Sequence, residues 1–374
     1  MNMAEQLEKV RGDAPERRPN VRVLAAAAAH GDCNFARLAL ATGTNLDKLC
    51  DDTYFAVEFG QDPQAFQRGH MFEKWVKEKD YAALIQLLRE KAGFPITDVR
   101  IRDLHKGAAL NKDGMAQRAA ETRQVLRKIV HNAKDAPNIV DGAVLTCRIA
   151  GQVAYFEADG LAAATGGQIN VTEVKSFAYT DQQCDPTNLG AACDQAAWYA
   201  QLVRRTLIDE KLPPEAVSDR AFIILPEGVS LTPTLLRVDI AAKIRRAAEL
   251  LASTPGAEQM LALAGGMQFP CLSDKSDERI GKLEVMMDKV GTFYRPECLQ
   301  DCGMARLCRA RAQEVGVPTM CGTSIVRVLP GIRTLSRAAE LASGAKAAPI
   351  ELHAADALKR AASVYQRVLT TGAL

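Results

Sequence analysis

Hydrophobic spacing along the chain changes period twice, dividing it into helical and extended stretches. Residues 1–20 are polar and charged, carry Pro15 and Pro19, and read as a flexible N-terminus. From 21 to 45 a short strand or turn leads into a helix that begins near Asp32 and is stopped by Gly43. His70–Glu90 predicts a helix whose apolar stripe is Phe72, Trp75, Val76, Leu84, Leu87 and Leu88. Ala116–Asn132 predicts another, with Leu126, Ile129 and Val130 on one side. The period then shortens. Ile139–Cys147, Gln152–Leu161 and Gln168–Phe177 alternate or run apolar over short lengths, with turn glycines at Gly151 and Gly166-Gly167, which predicts an antiparallel meander of three strands. A helix at Cys193–Glu210, a strand at Ala221–Leu225 closed by Pro226, and helices over 233–253 and 256–266 follow. The order helix–βββ–helix–β, with further helices on either side, predicts an α/β fold around a mixed sheet.

Composition narrows the class. A chain of 374 residues with 48% apolar and 25% charged positions has the balance of a folded globular protein, which excludes wholesale disorder. The formal net charge of +2 means that any affinity for nucleic acid must come from local basic patches. Apolar runs fall short of the roughly 20 residues that span a bilayer. The alanine-rich Val21–Ala29 is interrupted by Arg22 and preceded by several acidic residues, unlike a secretory leader. The expectation is a soluble cytoplasmic protein with no membrane partner.

Candidate chemistry begins in the third strand, at Glu173-Val174-Lys175. Side chains two apart on a strand share a face, so carboxylate and ammonium point into the same space. The preceding strand ends in Asp159-Gly160, and a hairpin through Thr165-Gly166-Gly167 allows Asp159 and Glu173 to lie side by side. Two close carboxylates repel unless a cation sits between them. A hard divalent ion such as Mg²⁺ or Mn²⁺ takes oxygen ligands and keeps waters, one of which can act as nucleophile. The lysine can orient that water and stabilise charge on a phosphate. The bland alternative is a surface salt bridge on an edge strand.

The ordered set of motifs is more specific than any one of them. Gly69-x3-Glu73 on the upstream helix, Asp159, Glu173-x-Lys175, and Gln195-x3-Tyr199 on the following helix resemble the PD-(D/E)XK nucleases of the RecB-like branch. That branch includes the CRISPR-associated RecB-like exonucleases and the nuclease domain of AddB. The resemblance implies a restriction-endonuclease-like core over roughly residues 30–315, with Glu73, Asp159 and Glu173 as metal ligands and Lys175 serving the attacking water. Gln195 and Tyr199 would position the nucleic-acid strand or brace the site. Many members carry His at the position of Glu73, and here His70 stands three residues earlier, so His70 and Glu73 remain alternatives. Asp141, in the similar Asp141-Gly142 pair, is the alternative to Asp159.

Ten cysteines are more than packing requires, and three of them cluster as Cys298-x3-Cys302-x5-Cys308. The nuclease branch has members whose [4Fe–4S] cluster takes one upstream cysteine and three near the C-terminus, commonly spaced Cys-x2-Cys-x5-Cys. The resemblance implies Cys33 as the fourth ligand, with Cys50 the alternative, and a cluster that staples the N- and C-terminal segments together. Four thiolates also suit structural zinc, and spacing alone does not separate the two.

Residues 98–134 hold nine Lys/Arg against four Asp/Glu, and Arg118, Arg123, Arg127 and Lys128 fall along one helix as a candidate phosphate track. Tyr179, Trp198 and Tyr199 are the nearest stacking candidates. The expected organisation is a flexible 1–20, a nuclease domain over 21–320 pinned by its cluster, and a helical tail over 321–374. The expected activity is Mg²⁺- or Mn²⁺-dependent DNA hydrolysis, an exonuclease acting on ends in repair, recombination or defence, with a helicase, recombination or defence protein as partner. The rivals are a non-catalytic nucleic-acid-binding scaffold of the same fold and a zinc-stabilised α/β protein of other function.

Overall fold

The computed structural model describes residues 2–371 except 18, 19, 22, 25–31, 58–62, 95, 107–111, 150, 151, 165, 229, 230, 254, 255, 301 and 323. The predicted turn residues Gly151 and Thr165, and most of the alanine run, lie outside the described residues. A six-stranded mixed sheet runs in chain order, β1 (Ile101–Asp103), β2 (Ile139–Ile149), β3 (Gln152–Ala163), β4 (Ile169–Val174), β5 (Arg220–Pro226) and β6 (Pro233–Asp239). Strands β2, β3 and β4 are the antiparallel meander that the alternating pattern predicts. β4 and β5 are parallel, as are β1 and β2. A parallel pair needs a crossover, and the helix Pro186–Asp209 supplies it between β4 and β5.

Helices cover both faces. We label them α1 (Met3–Arg11), α2 (Asn34–Thr42), α3 (Leu46–Leu49), α4 (Pro63–Glu90), α5 (Lys112–Val130), α6 (Pro186–Asp209), α7 (Ala241–Ser253), α8 (Ala257–Ala264), α9 (Ser276–Val290) and α10 (Ala305–Val315). On one face α4 buries Phe72, Val76, Leu84 and Leu88 against Ile139, Ala162, Phe222 and Ile224. On the other, Leu126 and Ile129 of α5, Trp198, Leu202 and Val203 of α6, and Ile244 of α7 meet Val140, Leu145, Phe156, Val171 and Ile223. Trp75 leaves the expected stripe and stays partly exposed.

Along β2, Val140 and Ala143 face this second core, and along β3 so do Ala158 and Leu161. An ideal strand returns to one face every two residues. Here one interval in each strand is three, and the sheet coils where Asp141-Gly142 runs beside Asp159-Gly160, with Asp141 paired to Gly160. Gly142 takes φ 65°, a left-handed conformation that side-chain-bearing residues rarely adopt.

Three sequence expectations are corrected. Residues 3–11 are not frayed: Asn2 and Glu5 form a reciprocal cap, and α1 buries Leu7 and Val10 against α2 and α8. Residues 233–239 are a strand, because the chain turns back at Glu227-Gly228 and pairs Leu235 and Leu236 with Ile224 and Ile223; the helix starts only at Ala241, capped by Asp239. Helix α4 is broken at Glu78–Tyr81, where Lys79, Asp80 and Tyr81 take φ of 50°, 53° and 61°. Among the described residues, no helix is long and apolar enough to cross a membrane.

A third core joins the ends of the chain. Leu7, Phe35, Leu38 and Leu49 pack with Met260, Leu283, Met286, Met304 and Leu307. Beyond it the tail carries its own small core, Leu329, Ile332, Leu341 and Ala354 among it, held by an ion pair between Arg337 and Glu351 at 2.7 Å. At the seam, Gly303 donates its amide to Asp47 Oδ1 at 3.2 Å. A Cβ on Gly303 would stand 2.3 Å from Asp47 Cα and 2.6 Å from Leu46 O, both backbone atoms that cannot swing aside. Gly303→Ala should therefore destabilise the fold by about 2 kcal/mol or more, read as a lower urea midpoint. An unchanged midpoint would mean that the seam is not closely packed.

Candidate functional site

The β3–β4 register, Gly160 to Thr172, continues to Asp159 beside Glu173 at the end of the sheet. Glu173 has no solvent exposure, and Lys175 Nζ stands 2.5 Å from its Oε2 and 3.4 Å from Asp159 Oδ2. The Val174 amide donates to the same Asp159 oxygen at 3.4 Å. Lys175 pairs closely with Glu173 Oε2, and the Glu173 carboxyl interacts with both Lys175 and Asp159. Burial first, and then the Asp159 charge, push the Glu173 carboxyl up to about 8, against the pull of Lys175. For Lys175 burial works downward, but Glu173 and then Asp159 outweigh it, so the ammonium is held above its ordinary value. Sequence reasoning placed these three groups together, and they are together.

Glu73 is drawn elsewhere. It bonds Lys77 at 2.7 Å, and Lys77 also reaches the buried Asp141 at 2.8 Å, whose other oxygen accepts from Tyr81 at 2.5 Å. The left-handed break in α4 lies between Lys77 and Tyr81, and it lets both side chains grip one carboxylate. Gly69 lies against the chain just past Lys175, where a Cβ would stand 3.6 Å from Ser176 Oγ. His70 is exposed on the same helix. Among the described residues, Glu73, Asp159 and Glu173 do not bring ligand atoms within 4.8 Å of one another; Asp103, His105 and Asp141 do. That second group was missed because β1 is only three residues long and shows no periodicity, although Asp141 was weighed. On α6, Tyr199 is buried in the core beside β4, and Gln195, one turn earlier, is half-buried.

The basic track on α5 is largely spent within the protein. Arg118 is 2% exposed and donates to Glu157 at 3.0 Å and to the Gly142 carbonyl at 2.6 Å, so its guanidinium is committed within the protein. Arg123 and Arg127 both pair with Glu210, and Lys128 with Asp135.

The cysteines converge at the seam between the chain's two ends. Cys33 sits at the start of α2, and Cys302 and Cys308 pack against the core that joins the termini. Cys298, Cys302 and Cys308 share a smaller apolar cluster with Tyr294 and Ala305. Burial raises Cys308 well above the ordinary thiol range, and Cys302, Cys33, Cys298 and Cys50, in that order, add to it. Cys302 is likewise raised by burial and then by Cys298 and Cys33. Cys33 is raised by burial, against amides of Ala36 and Phe293 that favour its thiolate. Cys50 turns instead to Met304, Sγ to Sδ 3.6 Å, and burial lifts it to about 11.

No protein-family model matches the chain, and no curated protein matches it. A solved structure described as "Crystal structure of SSO0001" is similar at 13% identity, covering 46% of this chain and 84% of that one, with a TM-score of 0.19. Likeness at that level carries no argument about fold or function.

The raised Glu173 carboxyl gives a signed pH dependence. Between about 4.5 and about 8 the folded, metal-free chain keeps this proton and the unfolded chain releases it. Stability from this group is therefore fully present below about 4.5 and is lost as pH climbs through about 8. In the presence of chelator the melting temperature should fall over that window, and Glu173→Gln should flatten the fall. A slope indifferent to the substitution would assign the titration to another group.

Proposed function

We propose that this chain is a metal-dependent nuclease with a restriction-endonuclease-like core, hydrolysing phosphodiester bonds in DNA. The observation that carries this reading is the buried Glu173 carboxyl, in register with Asp159 and sharing the Lys175 ammonium with it. Two carboxyl groups that close, with one lysine between them, fit a hard divalent cation, so the residues present suit Mg²⁺ or Mn²⁺. Asp159 and Glu173 would hold the ion. Glu73 would join them only by giving up Lys77. When bound, such an ion polarises the scissile phosphate and acidifies a water.

The protein's own groups do the rest. Lys175, its bond to Glu173 loosened, is placed to orient the attacking water and to balance charge growing on the phosphate. The apolar packing around Glu173 limits access of bulk water, which strengthens each of these interactions. Tyr199, buried beside β4, and the half-buried Gln195 one turn earlier brace the site from α6. An action on DNA ends, in repair, recombination or defence and beside a helicase or similar partner, rests on the resemblance of the ordered motifs alone.

A [4Fe–4S] cluster on Cys33, Cys298, Cys302 and Cys308 accompanies this reading. Tetrahedral zinc with bonds of about 2.3 Å needs sulfurs about 3.8 Å apart. A [4Fe–4S] cluster gives each thiolate its own iron, and the choice of it over zinc rests on the resemblance of the ordered motifs. Cys33 faces three of the set electrostatically, which favours it over Cys50.

The test is digestion of end-labelled linear and closed circular DNA with Mn²⁺ by anaerobically purified protein, with iron, sulfide and zinc measured on the same sample. Wild type should degrade DNA, and Lys175→Ala or Asp159→Asn should reduce the rate by about 10²–10⁴-fold. Iron and sulfide without cleavage would favour the non-catalytic scaffold. Zinc without cleavage would reduce Glu173-Val174-Lys175 to a salt bridge.

A further inference from the structure

We infer that Asp103, His105 and Asp141, with Glu157 as a further donor, form a second divalent-cation site at the β1–β2 edge of the sheet, separate from Asp159 and Glu173. One ligand atom from each of Asp103, His105 and Asp141 lies within 4.8 Å of the others. His105 Nε2 stands 3.4 Å from Glu157 Oε1 and 3.9 Å from Asp141 Oδ1. Those separations exceed good hydrogen bonds. They approach the distances between donors that share one ion, about 3.0–3.5 Å for bonds of about 2.1 Å.

The imidazole is seated there by the backbone. A Cβ on Gly142 would lie 2.5 Å from His105 Nε2 and 2.7 Å from Arg118 Nη2, so the absence of a side chain is what admits both groups. The carboxylates of Asp103, Asp141 and Glu157 surround the imidazole, and the buried Asp141 is the donor least screened by solvent.

Tyr81, bonded to Asp141 Oδ2, is an outer donor of the kind ligating carboxylates commonly carry, while Lys77, on the Oδ1 that faces His105, would yield to the ion. A mixed nitrogen and oxygen donor set suits Mn²⁺ or Zn²⁺ better than an ion that takes oxygen alone. The site needs neither the nuclease reading nor the cysteines.

Mn²⁺ is the probe, because thiols compete poorly for it. Free Mn²⁺ is counted by electron paramagnetic resonance as it is titrated into full-length wild type, Glu173→Gln and Glu173→Gln/His105→Ala. Histidine coordination is read as nitrogen modulation of the spin echo. Glu173→Gln should keep one bound ion with nitrogen modulation. Adding His105→Ala should weaken that ion about 100-fold or more, beyond what loss of an outer partner costs, and abolish the modulation. His105 is partly exposed, so the substitution should leave the melting curve of the metal-free chain intact. An Mn²⁺ count and echo unchanged by His105→Ala, or no ion bound by Glu173→Gln, would overturn the site.

Discussion

Pairing of β3 with β4 brings Asp159 level with Glu173 at a point where burial removes all water from the Glu173 carboxylate. A buried carboxylate left ionised and unpaired costs several kcal/mol, so it must be protonated or compensated where it stands. Lys175, two residues along the same strand, is the nearest compensation available, and its ammonium also reaches Asp159. The three groups thus form a unit in which each charge depends on the others. A cation entering between the carboxylates would displace the lysine from Glu173, and it would leave that lysine facing whatever the cation binds. The competition of ammonium and metal for one oxygen links the fold to the proposed chemistry.

The coil at the two Asp-Gly pairs sends neighbouring acidic groups to different partners. Asp141 and Asp159 belong to neighbouring strands, yet Asp141 is held by Lys77 and Tyr81 of the helix on one face, while Asp159 lies with Glu173 and Lys175. In an untwisted ladder, same-face residues would recur every second position, and these two aspartates would keep a fixed alternation. Gly142, with its positive φ, releases that constraint and makes room for His105 and Arg118. Three consecutive left-handed residues in α4 are costly, of the order of 1 kcal/mol each. The double grip of Lys77 and Tyr81 on Asp141 offsets part of that cost.

What was legible in the chain and what was not divides along physical lines. The meander could be read because period-two alternation over ten or so residues has no competing explanation, and the Glu173-x-Lys175 spacing forced both side chains to one face. The Asp159 neighbour followed from hairpin length. β6 was taken for a helix because Pro233–Asp239 is too short for periodicity to decide, and its state is set by pairing with β5, a nonlocal cause. β1, three residues long, left no trace and took His105 and Asp103 with it. The run of arginines on α5 looked like a solvated stripe, but whether a cation meets solvent or a carboxylate depends on what folds over it. Arg118 met Glu157 and the Gly142 carbonyl. Glu73 sits at the motif's position in the chain, but Lys77, one turn away on its own helix, captures it. Local spacing predicts which groups share a face. It does not predict which of several opposite charges on that face wins.

The cysteine seam obeys the same rule as the Glu173 site. Cys33 comes from the N-terminal part of the chain and Cys298, Cys302 and Cys308 from beyond α9, and the apolar residues that join those segments also bury the sulfurs. Burial holds Cys302 and Cys308 in the neutral thiol form, since four thiolates packed in an apolar seam would repel one another. A metal loaded there would have to expel protons, and the free energy of loading would also hold the two ends of the chain together. In both places the fold buries groups whose charged form is unfavourable alone, so each is kept protonated or paired.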